Sequence, residues 1–204
     1  MKDLTPSDIS STQTLKSGDL LVKTAFEDPG ETALTLDRLL VLIGTINQAN
    51  VAERFSSPLL LQLYETIDGG RLPFETASFK SSDLSSREIR NLLDSRVLPV
   101  QKRDDKGIQS MVTLGRAPNC DLVLPVPHIS KFHLWFKDSP RGWVVADAGS
   151  TNGTQVDGCR VEKGRPANLD DGTVLTLADR FHFRFVPPEG LCNLLKSAEQ
   201  LKQG

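Results

Sequence analysis

The sequence predicts an α+β protein that is mainly an antiparallel β-sandwich, preceded by a small helical region and followed by a C-terminal helix over residues 188–204. Two observations predict these parts. Apolar residues between positions 35 and 96 recur at helical spacing, whereas beyond about Val97 their period falls to two. Frequent turn signals divide the second half into short segments, a pattern typical of an antiparallel sandwich.

The first 96 residues divide into a tail and a helical region of unknown function. Residues 1–30 are rich in Ser, Thr, Asp and Gly, which predicts a flexible tail. Residues 31–96 predict three short helices: one over Leu36–Ile46, one that begins at Ser57-Pro58 and continues to Ile67, and one opened by a capping box at Ser85–Glu88. Because short helices are marginal in water, we expect them to pack together or on the sandwich.

Residues 97–187 carry the strand signals. Phe181–Phe185 alternates between aromatic and polar residues, and Trp143–Val145 is aromatic and β-branched. Asp157-Gly158 and Asp171-Gly172 are dipeptides typical of tight hairpin turns. Leu191, Leu194, Leu195 and Leu201 then return to helical spacing, which predicts that the C-terminal helix packs against the outside of the sandwich.

Composition narrows the function classes. The chain has 204 residues, a formal net charge of -2 and a pI near 5.9, so it carries no overall attraction for nucleic acid or membranes. Residues 1–84 hold 7 basic against 12 acidic residues, and residues 85–204 hold 17 against 14. The mildly basic second part therefore suits an anion-binding role.

Cysteine usage and hydropathy indicate a cytoplasmic protein. The three cysteines are odd in number and far apart, so they predict neither a disulfide framework nor a metal-binding pair. The N-terminus lacks the apolar core of a signal peptide, and the longest apolar run, Leu39–Ile43, is too short to span a bilayer. We expect no cofactor and no bound metal.

Three polar motifs follow one another in the second half. They are Gly115-Arg116, then Ser130-Lys131-Phe132-His133, then Gly149-Ser150-Thr151-Asn152-Gly153-Thr154. A phosphorylated side chain carries nearly two negative charges and three acceptor oxygens, so it needs several donors from different directions. Arginine, lysine and hydroxyl side chains supply such donors, which predicts a site that holds a phosphate without transferring it.

The order and spacing of these motifs resemble the forkhead-associated (FHA) domain, over about residues 97–187. The resemblance implies a β-sandwich that binds phosphothreonine peptides. It implies that the ligand contacts come from Arg116, Ser130, Lys131, Thr151 and Asn152, the last of them bonding the peptide backbone. It also implies that Gly115, His133 and Gly153 support the binding loops without touching the phosphate.

By this interpretation the chain is an adaptor in Ser/Thr kinase signalling and not an enzyme. The sequence has no GxxxxGK[ST] loop, no GxSxG elbow and no histidine before His128. A rival hypothesis keeps the fold but not the ligand, so that sandwich and helices form a scaffold for unphosphorylated partners. The presence of all four of Arg116, Ser130, Thr151 and Asn152 argues against that hypothesis, because a site released from phosphate should not need all four.

The partners expected from the resemblance are phosphothreonine-containing proteins, either substrates of a Ser/Thr kinase or the kinase itself. The tail also suggests a self-interaction hypothesis. Thr5 and Thr12 lie in the Ser/Thr-rich stretch, with Asp8 and Leu15 three positions after them. Once phosphorylated, either threonine could bind the site of its own chain or of a second copy.

Overall fold

The structure is a computed structural model that describes residues 34–44, 57–63, 80–84, 86–103 and 110–203. The tail predicted over residues 1–30 lies outside the described residues. Three α-helices are described, namely α1 (Leu36–Gly44), α2 (Ser86–Leu93) and α3 (Pro188–Gln203), with a 3-10 helix at Ser81–Asp83. Within these ranges, no helix is both long and apolar enough to cross a membrane.

The strands of the described residues form two sheets. The six-stranded sheet runs in the order β2 (Val97–Pro99), β1 (Leu59–Leu63), β11 (Phe181–Val186), β10 (Val174–Leu177), β7 (Thr154–Val156) and β8 (Cys159–Arg160). The five-stranded sheet runs in the order β4 (Leu122–Val123), β3 (Val112–Gly115), β5 (Leu134–Ser139), β6 (Gly142–Asp147) and β9 (Ala167–Asn168). Neighbours pair antiparallel except β3 and β4, which pair parallel. The predicted β-sandwich is confirmed.

Apolar side chains fill two layers, one on each face of the six-stranded sheet. Between the sheets, the core includes Leu60, Leu114, Phe136, Val145, Phe183 and Phe185. On the opposite face, helices α1, α2 and α3 cover the sheet with a second cluster that includes Leu39, Leu61, Leu92, Val186 and Leu194. The helices at both ends of the chain therefore pack on the outside of the sandwich, as their apolar faces predict.

Strand β1 corrects the helix predicted from Ser57 to Ile67 over residues 57–63, and the remainder of that predicted helix lies outside the described residues. Leu59–Leu63 instead pairs antiparallel with β2 on one side and β11 on the other. Leu60 packs in the core between the sheets, whereas Leu61 faces the helices, so the strand is buried on both faces. A strand of this kind is apolar at nearly every position and therefore lacks the alternation that identifies a half-buried strand. The predicted domain limit at residues 96 and 97 stays a prediction.

The two predicted hairpin turns have different outcomes. Asp157 and Gly158 both have positive φ, 48° and 76°, and they join the paired strands β7 and β8 as predicted. Asp171-Gly172 also turns the chain, with φ 91° at Gly172. However, it connects β9 to β10, which belong to different sheets, so it is a crossover between layers and not a hairpin.

The Asp171 turn also attaches the helical layer to the sandwich. Its carboxylate accepts hydrogen bonds from the Ser81 amide and hydroxyl, both at 2.6 Å. A Cβ at Gly190, in the first turn of α3, would lie 2.5 Å from an oxygen of the same carboxylate, so a larger residue there would displace the Asp171 side chain. Arg184 of β11 is fully buried. Its pKa is lowered, because the effect of burial outweighs the opposing effect of the negative charges of Asp171, Glu88 and Asp157.

Candidate functional site

The polar motifs lie in three loops that the five-stranded sheet brings to one end of the sandwich. Arg116 follows β3, Ser130 and Lys131 lie in the loop before β5, and Thr151 and Asn152 lie in the loop between β6 and β7. Because β3, β5 and β6 are antiparallel neighbours in the sheet, the end of β3, the start of β5 and the end of β6 lie at the same end of the sheet. Residues that are 36 positions apart in sequence, Arg116 and Asn152, thus share one surface.

Hydrogen bonds hold the first two loops against each other. The amide of Arg116 donates to the Ser130 carbonyl at 2.9 Å, and the amide of Ala117 donates to the Lys131 carbonyl at 3.1 Å. The amide of His133 donates to the Leu114 carbonyl at 2.9 Å, which continues the pairing between the two strands. The backbone at Arg116 is therefore fixed relative to Ser130 and Lys131.

Side chains attach the third loop to the second. The Ser130 hydroxyl oxygen accepts a hydrogen bond from the Thr151 amide at 3.0 Å, and the two hydroxyl oxygens are 3.4 Å apart. The Asn152 amide nitrogen Nδ2 donates to the carbonyl of His128 at 2.8 Å. All five residues expected to contact the ligand are thus brought together in one cluster of loops.

The residues expected to contact the ligand differ from the residues that support them in exposure and charge. Arg116, Lys131, Thr151 and Asn152 are exposed, and Ser130 is half-buried. Within the described ranges, neither Arg116 nor Lys131 takes part in an ion pair. Two cations and two hydroxyl groups therefore face solvent at the same end of the sandwich, an arrangement that suits a dianion.

Two glycines are required by close packing and backbone geometry. A Cβ at Gly115 would collide with the carbonyl oxygen of Lys131, so a larger residue there would displace the loop that carries Ser130. Gly153 has φ +83°, and a Cβ on it would collide with the guanidinium of Arg160. Both positions fit the supporting role expected from the sequence.

His133 lies beneath the loops and is fully buried. The Ser130 amide donates to its Nδ1 at 3.2 Å, so the proton resides on Nε2, which donates to the Gly153 carbonyl at 3.2 Å. Burial lowers the pKa of His133, although the Gly153 carbonyl and the charge of Asp147 oppose this. The imidazole is a neutral link between the second and third loops, with both nitrogens occupied.

A buried carboxylate, Asp147, organises the third loop, a role that the sequence did not predict. Its Oδ1 accepts the amides of Gly149 and Ser150, both at 2.8 Å, and its Oδ2 accepts the hydroxyls of Ser150 at 2.6 Å and Thr154 at 2.8 Å. The Ser150 hydroxyl oxygen in turn accepts the Gly153 amide at 2.9 Å. Burial raises the pKa of Asp147, but these four hydrogen bonds outweigh it and hold the pKa below its usual value.

Arg160 is a second residue that the sequence analysis missed. It ends β8, and the amide of the next residue, Val161, donates to the Thr154 carbonyl, so the β7–β8 hairpin returns to the third loop. Its Nη2 donates to the Asn152 carbonyl at 3.3 Å. Arg160 therefore borders the cluster beside Asn152. Among the described residues, no cluster of three or more His, Cys, Asp or Glu is arranged to hold a metal ion.

Comparison with known proteins identifies the same segment. Residues 112–178 match the family model of the FHA domain, which confirms the resemblance predicted from the sequence. The FHA domain-containing protein PS1 of Arabidopsis thaliana is 32% identical over 76 residues, 36% of this chain and 5% of that protein. The proliferation marker protein Ki-67 of Homo sapiens is 34% identical over 90 residues, 44% of this chain and 3% of that protein. This chain thus spans a small part of their length.

A solved structure from a structural and functional analysis of phosphothreonine-dependent FHA domain interactions is also similar. It is 20% identical, with a TM-score of 0.39, and the match covers 63% of this chain and 94% of that one.

Proposed function

We propose that the chain is a cytoplasmic adaptor that binds phosphothreonine-containing proteins in Ser/Thr kinase signalling. The observation that carries the proposal is the cluster of Arg116, Ser130, Lys131 and Thr151 on one exposed surface, next to Asn152. The FHA family match of residues 112–178 supports it. The partners would be substrates of such a kinase or the kinase itself.

The donor set matches the chemistry of a phosphorylated threonine. The guanidinium of Arg116 offers two parallel N–H donors to two phosphate oxygens, and Lys131 adds a point charge. The hydroxyls of Ser130 and Thr151 lie 3.4 Å apart and can each donate to the same phosphate. Four charge-assisted hydrogen bonds of about 1.5–3 kcal/mol each give roughly 6–12 kcal/mol before association costs of about 4 kcal/mol or more. The remainder is at most about 8 kcal/mol, and this upper limit corresponds to the micromolar binding that we expect.

Asn152 suits recognition of the peptide backbone. Because its Nδ2 donates to the His128 carbonyl, the amide group is held in one orientation and presents its oxygen as an acceptor. That oxygen can receive an amide hydrogen of a peptide lying across the loops. The phosphate and the backbone would then be bound by separate residues.

The same geometry favours binding over catalysis. His133 is the imidazole beneath the loops, yet it is fully buried and both of its ring nitrogens are hydrogen-bonded. A general base has to reach the proton that it removes. An imidazole in this position instead holds the Ser130 and Gly153 backbones together.

The test is a binding screen of the full-length protein against a phosphothreonine peptide library, with each hit also made unphosphorylated and with phosphoserine. We expect micromolar binding of phosphothreonine peptides and none of the unphosphorylated ones. We also expect about 5- to 150-fold weaker binding of the phosphoserine forms, because a methyl group in a small pocket contributes about 1–3 kcal/mol. Equal binding of phosphorylated and unphosphorylated forms would favour the phosphorylation-independent scaffold.

We further propose that phosphorylation of Thr5 or Thr12 supplies an internal ligand. A tethered phosphothreonine has an effective concentration of order millimolar, which exceeds a micromolar Kd. Semisynthetic protein with phosphothreonine at either position should bind an outside phosphopeptide at least about tenfold more weakly, or sediment as a dimer if the tail reaches a second copy. Unchanged affinity and unchanged mass would refute the self-interaction for these two threonines.

A further inference from the structure

A groove runs beside the proposed phosphothreonine site, between β8 and the segment that leads to β9. Its volume is about 350 Å³. The residues that line it include Cys159, Arg160, Glu162, Arg165, Ala167 and Asn168, and we refer to it as the basic groove. It is not part of the ligand contacts described above.

Hydrogen bonds make the basic groove continuous with the loop that carries Thr151 and Asn152. Arg160 Nη2 donates to the Asn152 carbonyl at 3.3 Å. Further along, the Gly164 amide donates to the carbonyl of Asp147, the residue that ends β6 below the same loop, at 2.8 Å. A ligand bound across Thr151 and Asn152 would therefore have the basic groove directly alongside it.

The charge of this segment is positive and little of it is neutralised. Residues 159–166 contain Arg160, Lys163 and Arg165 against one acid, Glu162. Arg165 Nη1 and Glu162 Oε2 are 3.2 Å apart, but the two side chains are 75% and 72% exposed, respectively. Ion pairs between exposed side chains contribute little to stability, so a bound dianion can compete with Glu162 for Arg165. Arg160 has five N–H donors and uses one on Asn152.

We propose that the basic groove is a second anion subsite, which binds an acidic or phosphorylated side chain of the same peptide that places its phosphothreonine at Arg116. The proposal rests on the proposed function and extends it from one anion to two. Arg160 and Arg165 both line the groove, and each offers a planar set of N–H donors that a phosphate or carboxylate bound there can accept. The preferred ligand would be a peptide phosphorylated twice, or phosphorylated once and acidic nearby.

The test compares three peptide sets on the full-length protein: phosphothreonine alone, phosphothreonine with a glutamate, and phosphothreonine with a phosphoserine. The second anion is moved through successive positions on both sides of the phosphothreonine. At the best spacing we expect about fivefold to tenfold tighter binding with phosphoserine and a smaller gain with glutamate. Both gains should shrink as salt is raised.

At the best spacing, the affinity for the peptide with phosphothreonine and phosphoserine is divided by the affinity for the peptide with phosphothreonine alone. This ratio is then measured in Arg165→Gln and in a matched control, Arg141→Gln, which changes an exposed arginine at the β5–β6 turn at the other end of the sandwich. The ratio should fall toward one in Arg165→Gln and keep its wild-type value in the control. A ratio of one in the wild type at every spacing would overturn the second subsite alone. Failure of the wild type to bind any singly phosphorylated peptide would instead overturn the proposed function.

Cys159 provides an independent readout in the unmodified protein. It lines the basic groove and is exposed, whereas Cys120 is buried. The doubly phosphorylated peptide should slow alkylation of Cys159 by iodoacetamide more than the singly phosphorylated one does at equal occupancy, as followed by mass spectrometry. Equal rates with the two peptides would count against occupation of the groove.

Discussion

Replacement of Arg116 by alanine should weaken phosphothreonine peptide binding by about 100-fold or more and leave the free energy of unfolding within about 0.5 kcal/mol of wild type. The side chain is exposed and, within the described ranges, forms no ion pair, so its removal leaves the core unchanged. The bound phosphate, however, would lose the bidentate donor of the site. Isothermal titration and urea unfolding measure the two effects separately.

Two further variants make the Arg116 result specific. Arg116→Lys keeps the charge but loses the planar fork, so its affinity should lie between those of wild type and Arg116→Ala. Arg141→Ala removes an exposed arginine at the opposite end of the sandwich and should bind as wild type does. Equal affinities of Arg116→Ala and wild type for a phosphothreonine peptide would contradict the assignment of the phosphate site.

The parts of the fold that the sequence predicted are those with local signals. Phe181–Phe185 alternates because Phe183 and Phe185 enter the core between the sheets, while His182 and Arg184 do not belong to that core. Asp157-Gly158 forms a hairpin because both residues adopt positive φ. Helices α1, α2 and α3 show one apolar face each, and all three pack where that face requires.

The wrong predictions concern residues whose conformation depends on contacts with distant parts of the chain. Leu59–Leu63 is a strand because β11 and β2 flank it, and neither partner is close in sequence to signal this. Asp171-Gly172 has the composition of a hairpin turn, yet the strands that it joins belong to different sheets.

The site shows the same division. The motifs place Arg116, Ser130 and Thr151 in the loops because each residue lies beside a turn signal. The role of Asp147 had a readable signal, since an aspartate before Gly149 and Ser150 commonly accepts the amides that follow it. Arg160 had none, because its contact with Asn152 depends on the register of the β7–β8 hairpin.

Replacement of Asp147 should have the largest effect on stability. We expect Asp147→Ala to lower the free energy of unfolding by about 3–5 kcal/mol, because two amides and two hydroxyls would lose a buried charged acceptor. Asp147→Asn keeps the volume and one acceptor oxygen, so its loss should be smaller. Asp138→Asn, a change at an exposed position near the end of β5, should remain within about 0.5 kcal/mol of wild type.

The pH dependence separates the charge of Asp147 from its shape. Because its pKa is lowered in the folded state, its contribution is complete above the unfolded value of about 3.9 and is lost as pH falls through the folded pKa. The lowered pKa of His133 also removes stability as pH falls, but from about 6.5 downward, since the unfolded state binds that proton first. Urea unfolding followed by tryptophan fluorescence should therefore show two acid limbs in wild type.

In Asp147→Asn the limb that begins near pH 6.5 should persist, while the one below about pH 4 should become shallower. It should not vanish, because Asp121 also has a lowered pKa: burial raises it, but hydrogen bonds from Thr113, Lys102 and the Arg103 amide outweigh burial. Identical profiles of Asp147→Asn and wild type below pH 4 would show that the carboxylate charge does not stabilise the third loop.

Phosphopeptide affinity of Asp147→Asn at neutral pH should fall together with its stability, because the Asp147 hydrogen bonds hold the loop that presents Thr151 and Asn152.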